Sequence, residues 1–226
     1  MNGRWRRAQK AEAAVGKINA PPEALTDSMR RRCLEYMRKY SSLSERELED
    51  MRILEIGGRA LEKTFDSANI PPKLILDPLF PFPRVIGQCD KSCHRVRGVG
   101  EFLPLPDKSI DLCWCANVID HTFSPIAVLK EIRRVLDDHG ILVISCDVFP
   151  TWTKPLFPLF NILDAPHPHH FTLASFKTLL TREFEIQKEF EENSIFRLSL
   201  ARKLKENIAA ALHVRYIYFR CIPIRR

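Results

Sequence analysis

Glycines and acidic side chains end two apolar segments in the first half of the chain. The run RILEIGG delivers Glu55 and the pair Gly57 and Gly58 to a turn. Glycine lets a backbone come close to a ligand, and a helix that starts there offers unpaired N–H groups to an anion. Asp77 ends the next apolar run, where nucleotide-binding α/β folds place an acid that binds ribose hydroxyls. Together these residues indicate a nucleoside-containing cofactor, although Asp77 is also typical of a turn before Pro78.

Histidines supply the candidate general bases. His121 follows an apolar run, and His167, His169 and His170 lie in the segment HPHH. Imidazole titrates close to neutral pH, so a well-placed histidine can take a proton from an acceptor group. We name His121, His169 and His170 as candidate catalytic residues, with a packed or helix-capping role as the alternative for each.

Metal binding is the other chemistry that these residue types suggest. HPHH has no acidic or cysteine partner at ligand spacing along the sequence. Cys89, Cys93 and His94 likewise lack a second closely spaced pair that would complete a tetrahedral set. The seven cysteines are odd in number and irregularly spaced, which indicates free thiols, so the sequence predicts no metal site.

Alternating strand and helix patterns position these residues. From residue 52 onward the pattern is typical of a largely parallel sheet covered by helices on both faces. The predicted strands are residues 52–57, 73–77, 94–98, 110–117, 140–146, 184–190 and 215–222. The clearest helix is predicted at residues 125–136, ended by residues 137–140, and another candidate helix covers residues 194–212.

A helical lead-in precedes this pattern. Residues 1–51 are expected to form helices belonging to the same domain as residues 52–226, one of them starting at Thr26 or Asp27. Ser44 and Glu47 have the spacing of a capping box at the start of a second helix.

Charge is unevenly distributed along the 226 residues. The formal net charge is +7, from about +6 in residues 1–40, −6 in residues 41–192 and +7 in residues 193–226. Basic termini indicate an anionic partner, or simply solvated helix faces. The sequence has no apolar run long enough to cross a membrane and no signal-peptide pattern at its start, so we expect a cytoplasmic protein.

One long segment adds a family resemblance. The run GVGEFLPLPDKSIDLCWCANVIDHTFSPIAVLKEIRRVLDDHGILVIS closely resembles S-adenosylmethionine-dependent class I methyltransferases, particularly the type 11 group. The resemblance extends over roughly residues 52–190 and implies a Rossmann-like fold, with a seven-stranded, mostly parallel sheet whose last strand is antiparallel. It also implies a methyltransferase that uses S-adenosylmethionine.

The resemblance further implies roles for individual residues. Glu55, Gly57 and Gly58 would lie at the methionine end of the cofactor, and Asp77 would hold the ribose. Glu101 and Phe102 would border the adenine, and Asn117 would lie near the sulfonium; these residues are the predicted cofactor site.

Two departures from the family pattern keep alternatives open. The turn after the first strand carries Arg59 and Leu61 where further glycines are common, and Val99 replaces an acid. A non-catalytic interaction protein with the same fold is therefore the second hypothesis. A nicotinamide-dependent dehydrogenase is the third, although the G-x-G-x-x-G pattern is missing. For an enzyme, a small-molecule or glycan-type acceptor is expected.

Overall fold

A single mixed sheet organises the computed structural model, which describes residues 3–18, 27–57, 74–79, 94–163, 167–192 and 213–225. Within these ranges eight strands pair in the order β3-β2-β1-β4-β5-β8-β7, with β6 beside β5. They are β1 Ile53–Ile56, β2 Leu74–Asp77, β3 His94–Arg97, β4 Ile110–Ala116, β5 Leu136–Phe149, β6 Phe171–Thr172, β7 Phe184–Glu192 and β8 Arg215–Pro223.

The pairing directions agree with the predicted fold. β1 pairs in parallel with β2 and β4, β2 with β3, and β4 with β5. The last strand, β8, lies antiparallel between β5 and β7. All seven predicted strands are confirmed; β6 is an addition of two residues, too short to leave a periodic pattern in the sequence.

Helices cover both faces of the sheet. In chain order they are α1 Gly3–Ile18, α2 Asp27–Ser41, α3 Glu45–Asp50, α4 Pro125–Val135, α5 Phe157–Leu163 and α6 Leu173–Leu180. Short 3₁₀ helices occupy Ile119–His121 and Thr151–Leu156. None of the described helices has the length and apolar character needed to span a membrane.

Alternating side chains along β4 fill two separate cores. Cys113 and Cys115 face the core beneath α4 and α6, whereas Leu112 and Trp114 face the core beneath α2 and α3. The buried side of α4 carries Val128, Leu129, Ile132 and Val135, at helical spacing. A sheet that is buried on both faces accounts for the nearly continuous apolar run of β4.

Helix α2 of the lead-in packs on the sheet through aromatic rings. Tyr40 of α2 stacks on Tyr218 of β8, with ring centroids 3.7 Å apart. The Tyr40 hydroxyl donates to Glu192 at the end of β7, which also accepts from Lys39 at 2.7 Å. The predicted capping box is confirmed, because Glu47 N donates to Ser44 Oγ and the Glu47 carboxylate accepts from Ser44 N.

Two predicted elements differ from the structure or lie outside it. Helix α4 ends at Val135, and Leu136 already pairs with Ile110, so the prediction that residues 137–140 end the helix is wrong. Those residues belong to β5, where the register with β4 shifts. The candidate helix at residues 194–212 lies outside the described residues.

An arginine at the end of α4 holds the loop between β3 and β4. Arg134 Nη1 donates to the carbonyl of Leu105 and to Asp107 Oδ1, at 2.8 and 2.7 Å. Its Nη2 donates to the Leu103 carbonyl and to Glu131 Oε2, which also accepts from Leu103 N. Residues 103–107 and 131–134, which both lie in the run that resembles the methyltransferases, are therefore joined by one set of hydrogen bonds.

We predict that Arg134→Ala lowers the free energy of unfolding by about 2 to 3 kcal/mol, because several charge-assisted hydrogen bonds are lost together. Arg134→Lys should recover only part of this loss, since an ammonium cannot reproduce the planar fork of a guanidinium. Urea unfolding followed by circular dichroism measures both variants. An unchanged midpoint in Arg134→Ala would show that the contact does not stabilise the fold.

The same contact predicts a pH dependence. The hydrogen bond from Arg134 lowers the pKa of Glu131 below its ordinary value. A carboxylate with a lowered folded-state pKa stabilises the fold above its unfolded pKa of about 4.3, and this contribution disappears as the pH falls through the folded-state pKa. The stability difference between wild type and Arg134→Ala should therefore be largest above about pH 5 and shrink toward about pH 3. A pH-independent difference would contradict this assignment.

Candidate cofactor and acceptor site

The carboxyl ends of β1 and β2 form one side of the candidate site. Glu55 of β1 is buried, with 1% of its surface exposed. Gly57 follows with φ +78° and donates from its backbone N to the Leu76 carbonyl of β2 at 2.8 Å. Ile56 is in register with Leu76, so the turn after β1 begins beside the end of β2.

Gly57 also lies against the loop that follows β4. A Cβ added to Gly57 would overlap Val118 Cγ2. The positive φ is a second reason for glycine here, because the left-handed region is costly for residues that have a Cβ. The turn after β1 and the loop after β4 are thus in direct contact through a position that only glycine fits.

Asp77 ends β2 beside this turn. Its carboxylate is buried, and Oδ1 accepts from Leu79 N at 2.7 Å, so one oxygen stabilises the turn that follows the strand. Its carbonyl accepts from Gly98 N at 3.2 Å, at the end of β3. Asp77 is therefore a turn residue, as the sequence alternative expected, and its ribose-binding role stays a prediction.

The predicted adenine-side residues differ in their surroundings. Glu101 Oε1 accepts from Phe123 N and Ser124 N, at 2.7 and 3.0 Å, immediately before α4 begins at Pro125. Its carboxylate therefore stabilises the N-terminal end of that helix, where a negative charge is favourable. Phe102 is 80% exposed, so its ring faces solvent.

Asn117 begins the loop after β4. It has φ +56°, a left-handed conformation that asparagine tolerates better than most residues. Its backbone N donates to the Ser145 carbonyl of β5 at 3.1 Å. The loop therefore turns sharply at the sheet edge, just before Val118 contacts Gly57.

A compact acid and histidine cluster follows in the same loop. Asp120 is buried, and its Oδ1 lies 3.8 Å from His121 Nε2. His167 comes from the HPHH segment, with Nε2 3.8 Å from Asp120 Oδ2, and the His121 and His167 rings are 4.4 Å apart. HPHH has no acidic partner at ligand spacing along the sequence, but the fold brings Asp120 to it from a distant part of the chain.

The other two candidate bases have defined partners. His169 Nε2 donates to the Thr122 carbonyl at 3.1 Å, and its backbone N donates to the Asp120 carbonyl at 3.2 Å. His170 Nδ1 donates to Asn161 Oδ1 at 3.0 Å, and its ring packs among the rings of Phe149, Phe157 and Phe160. These contacts are typical of the packed alternative that the sequence left open for both residues.

Most of the predicted site residues thus occupy one edge of the sheet. The ends of β1, β2 and β4 bring together Gly57, Asp77 and the loop from Asn117 to His121, whereas Gly58 lies outside the described residues. Sequence reasoning missed Asp120 as a site residue and left His167 out of the predicted site. The only sequence signal for either was the adjacency of Asp120 to His121 and of His167 to the other histidines.

Comparisons with known proteins agree with this architecture. Residues 83–144 match the family described as methyltransferase domain, of the type 11 group. An uncharacterised methyltransferase of Mycobacterium bovis is 37% identical over 60 residues, 26% of this chain and 22% of the relative. The matched segment therefore spans only about a fifth of the relative's length.

Solved structures extend the similarity to the whole fold. An S-adenosylmethionine-dependent methyltransferase from Thermotoga maritima superposes with a TM-score of 0.61, at 15% identity, covering 97% of this chain and 100% of that one. Geranyl diphosphate C-methyltransferase from Streptomyces coelicolor, bound to S-adenosylhomocysteine, has a TM-score of 0.67 at 9% identity, covering 84% and 78%. The chain has the Rossmann-like methyltransferase fold, and its predicted resemblance to the type 11 group is confirmed.

We predict that Gly57→Ala destabilises the protein, by about 1 to 2 kcal/mol for the positive φ alone and by more because of the overlap with Val118. The double variant Gly57→Ala with Val118→Ala provides the matched comparison, since it removes the overlap and keeps the backbone cost. Thermal and urea unfolding measure the series. If Gly57→Ala is as stable as the wild type, the close contact between the two loops is not required.

Proposed function

We propose that this protein is an S-adenosylmethionine-dependent methyltransferase that binds its cofactor along the carboxyl edge of β1, β2 and β4. The observation that carries the proposal is the turn at Gly57. Its backbone comes close to the neighbouring loop, between the buried carboxylates of Glu55 and Asp77. In open α/β sheets, ligands bind outside the carboxyl ends of the strands, where connections turn to opposite faces.

The residues at this edge fit such a cofactor. Val118 fills the Cβ position of Gly57, so the turn after β1 and the loop after β4 would together form the floor of the cofactor site. The carboxylate of Asp77 can accept hydrogen bonds from a ribose diol, and the exposed ring of Phe102 offers a stacking surface to a base. Glu55 would lie near the ammonium end of the cofactor, and Asn117 near the reacting sulfur.

When bound, the cofactor supplies an electrophilic methyl group on a sulfonium. The protein's task is then to hold an acceptor in line with that group, and positioning alone can provide most of the rate. The loop containing Asn117 and His121 would form the wall facing the acceptor. His169 would position that loop through its two hydrogen bonds, and His170 would hold the segment before α6.

The acceptor is proposed to be a small molecule or glycan-type compound. Helix α1 packs against the 3₁₀ turn at Ile119–His121, so the lead-in residues 1–51 would form part of the same domain and of the acceptor side. On the other side, the segment after β5 exposes three apolar side chains, which would line an apolar wall: Trp152, Leu156 and Leu159.

A non-catalytic role remains the second candidate, because Arg59 and Leu61 replace family glycines in the turn after β1. In that case the basic termini would be the surfaces that meet an anionic partner. The cytoplasm is the proposed compartment for either role.

Calorimetric titration with S-adenosylmethionine and S-adenosylhomocysteine tests the proposal. We expect saturable binding of both, and we expect Asp77→Asn to weaken it about ten- to hundredfold, since the charge-assisted hydrogen bonds to ribose are lost. The amide oxygen introduced by this substitution can still accept the Leu79 N–H, so the variant keeps the turn after β2.

Asp50→Asn, on exposed α3, is the matched control and should bind like the wild type. Absence of binding to either compound at millimolar concentration would remove the enzyme hypothesis and favour the non-catalytic one. Equal affinity in a folded Asp77→Asn protein would remove only Asp77 from the site.

A further inference from the structure

The cluster formed by Asp120, His121 and His167 has a geometry that hydrogen bonding among its members does not explain. We propose that these three side chains bind one divalent transition-metal ion. Two imidazole nitrogens and one carboxylate oxygen form a common ligand set for such ions. The three ligand atoms all lie within 4.8 Å of one another.

The separations fit a shared ion better than direct contacts. Both histidine nitrogens are 3.8 Å from the Asp120 carboxylate, which is too long for a hydrogen bond. Two ligand atoms on a tetrahedral ion are about 3.4 Å apart when each bond is about 2.1 Å. Small side-chain rotations would therefore bring all three atoms to bonding distance.

Asp120 provides an independent reason to expect a cation. Its side chain is only 4% exposed, and within the described part of the chain Oδ1 accepts no hydrogen bond. Burying a carboxylate is costly unless a positive charge or hydrogen-bond donors compensate for it. A metal ion between the two histidines would provide that compensation.

Hydrogen bonds around the cluster fix the two segments that carry it. His169 N donates to the Asp120 carbonyl, and His169 Nε2 donates to the Thr122 carbonyl. Thr122 Oγ1 in turn donates to the Ile119 carbonyl at 2.7 Å. Such surrounding contacts are what orient the ligands in metal sites, and here they hold His167 beside the 3₁₀ turn.

The neighbouring thiols are poor competitors for the ion. Burial and the charge of Asp120 both raise the pKa of Cys115 and Cys146 above the ordinary value for a thiol. Both thiols are also fully buried in the sheet core, and neither belongs to the group of ligand atoms that lie within 4.8 Å of one another. The site therefore offers nitrogen and oxygen donors, which suit ions such as Mn²⁺, Fe²⁺, Co²⁺ and Zn²⁺.

Three protein ligands leave at least one coordination position open. His121 and His167 are partly exposed, so an ion and a water molecule can reach them. If the proposed function is correct, an acceptor oxygen could take that position, and the ion would lower the pKa of its hydroxyl. His121 would then act as a ligand, because a metal-bound Nε2 cannot accept a proton.

Mn²⁺ is the probe for the test. It binds thiolates weakly, so we expect no Mn²⁺ binding at the closely spaced Cys89 and Cys93. Free Mn²⁺ is measured by electron paramagnetic resonance in the full chain without added cofactor. We expect one saturable site, weakened about tenfold or more by Asp120→Ala, His121→Ala or His167→Ala. Pulsed spectra should show nitrogen couplings from two imidazoles in the wild type and from one in each histidine variant.

His139→Ala is the matched control, because His139 is exposed and outside the cluster, and its binding should not change. His167→Ala, in a partly exposed segment, keeps the test valid if Asp120→Ala does not fold. No saturable binding up to about 1 mM, or equal binding in His167→Ala and wild type, would overturn the proposal. The metal result is independent of the cofactor titration, so either proposal can fail alone.

Discussion

Strand β1 is hydrogen-bonded on both sides in parallel pairs, to β2 and to β4, and this arrangement positions everything else at the candidate site. Parallel strands end at the same edge of a sheet, so the turn after β1 and the loop after β4 emerge next to each other. Gly57 and Val118 meet there without room for a Cβ. Because interiors are close-packed, a change at this contact would move both loops together.

Contacts at both ends of helix α4 hold the loop between β3 and β4. Glu101 binds the backbone N–H groups that precede α4, and Arg134, close to the C-terminal end of α4, binds the carbonyls of Leu103 and Leu105. Glu101 and Arg134 therefore stabilise the scaffold, and the cofactor-binding role of Glu101 stays a prediction.

A second set of contacts positions the histidines at this edge of the sheet. The 3₁₀ turn after β4 presents Asp120 and His121, while the HPHH segment crosses it and is fixed by His169. The aromatic cluster around His170 holds the same segment from the other side. His121 and His167 lie beside a buried carboxylate, whereas His169 and His170 make hydrogen bonds to other groups. These packing partners account for the different surroundings of the four histidines.

The sequence by itself determined the fold class, seven of the strands and the capping box at Ser44, because these depend on local periodicity and short-range hydrogen bonds. It also indicated Glu55, Gly57 and Asp77 as edge residues, since they lie at or close to the ends of predicted strands. Only the tertiary structure decided that Glu101 binds the start of α4 and that Asp120 lies beside His167. Contacts between residues far apart in the chain depend on how the sheet brings strands and loops together, so a local sequence pattern does not predict them.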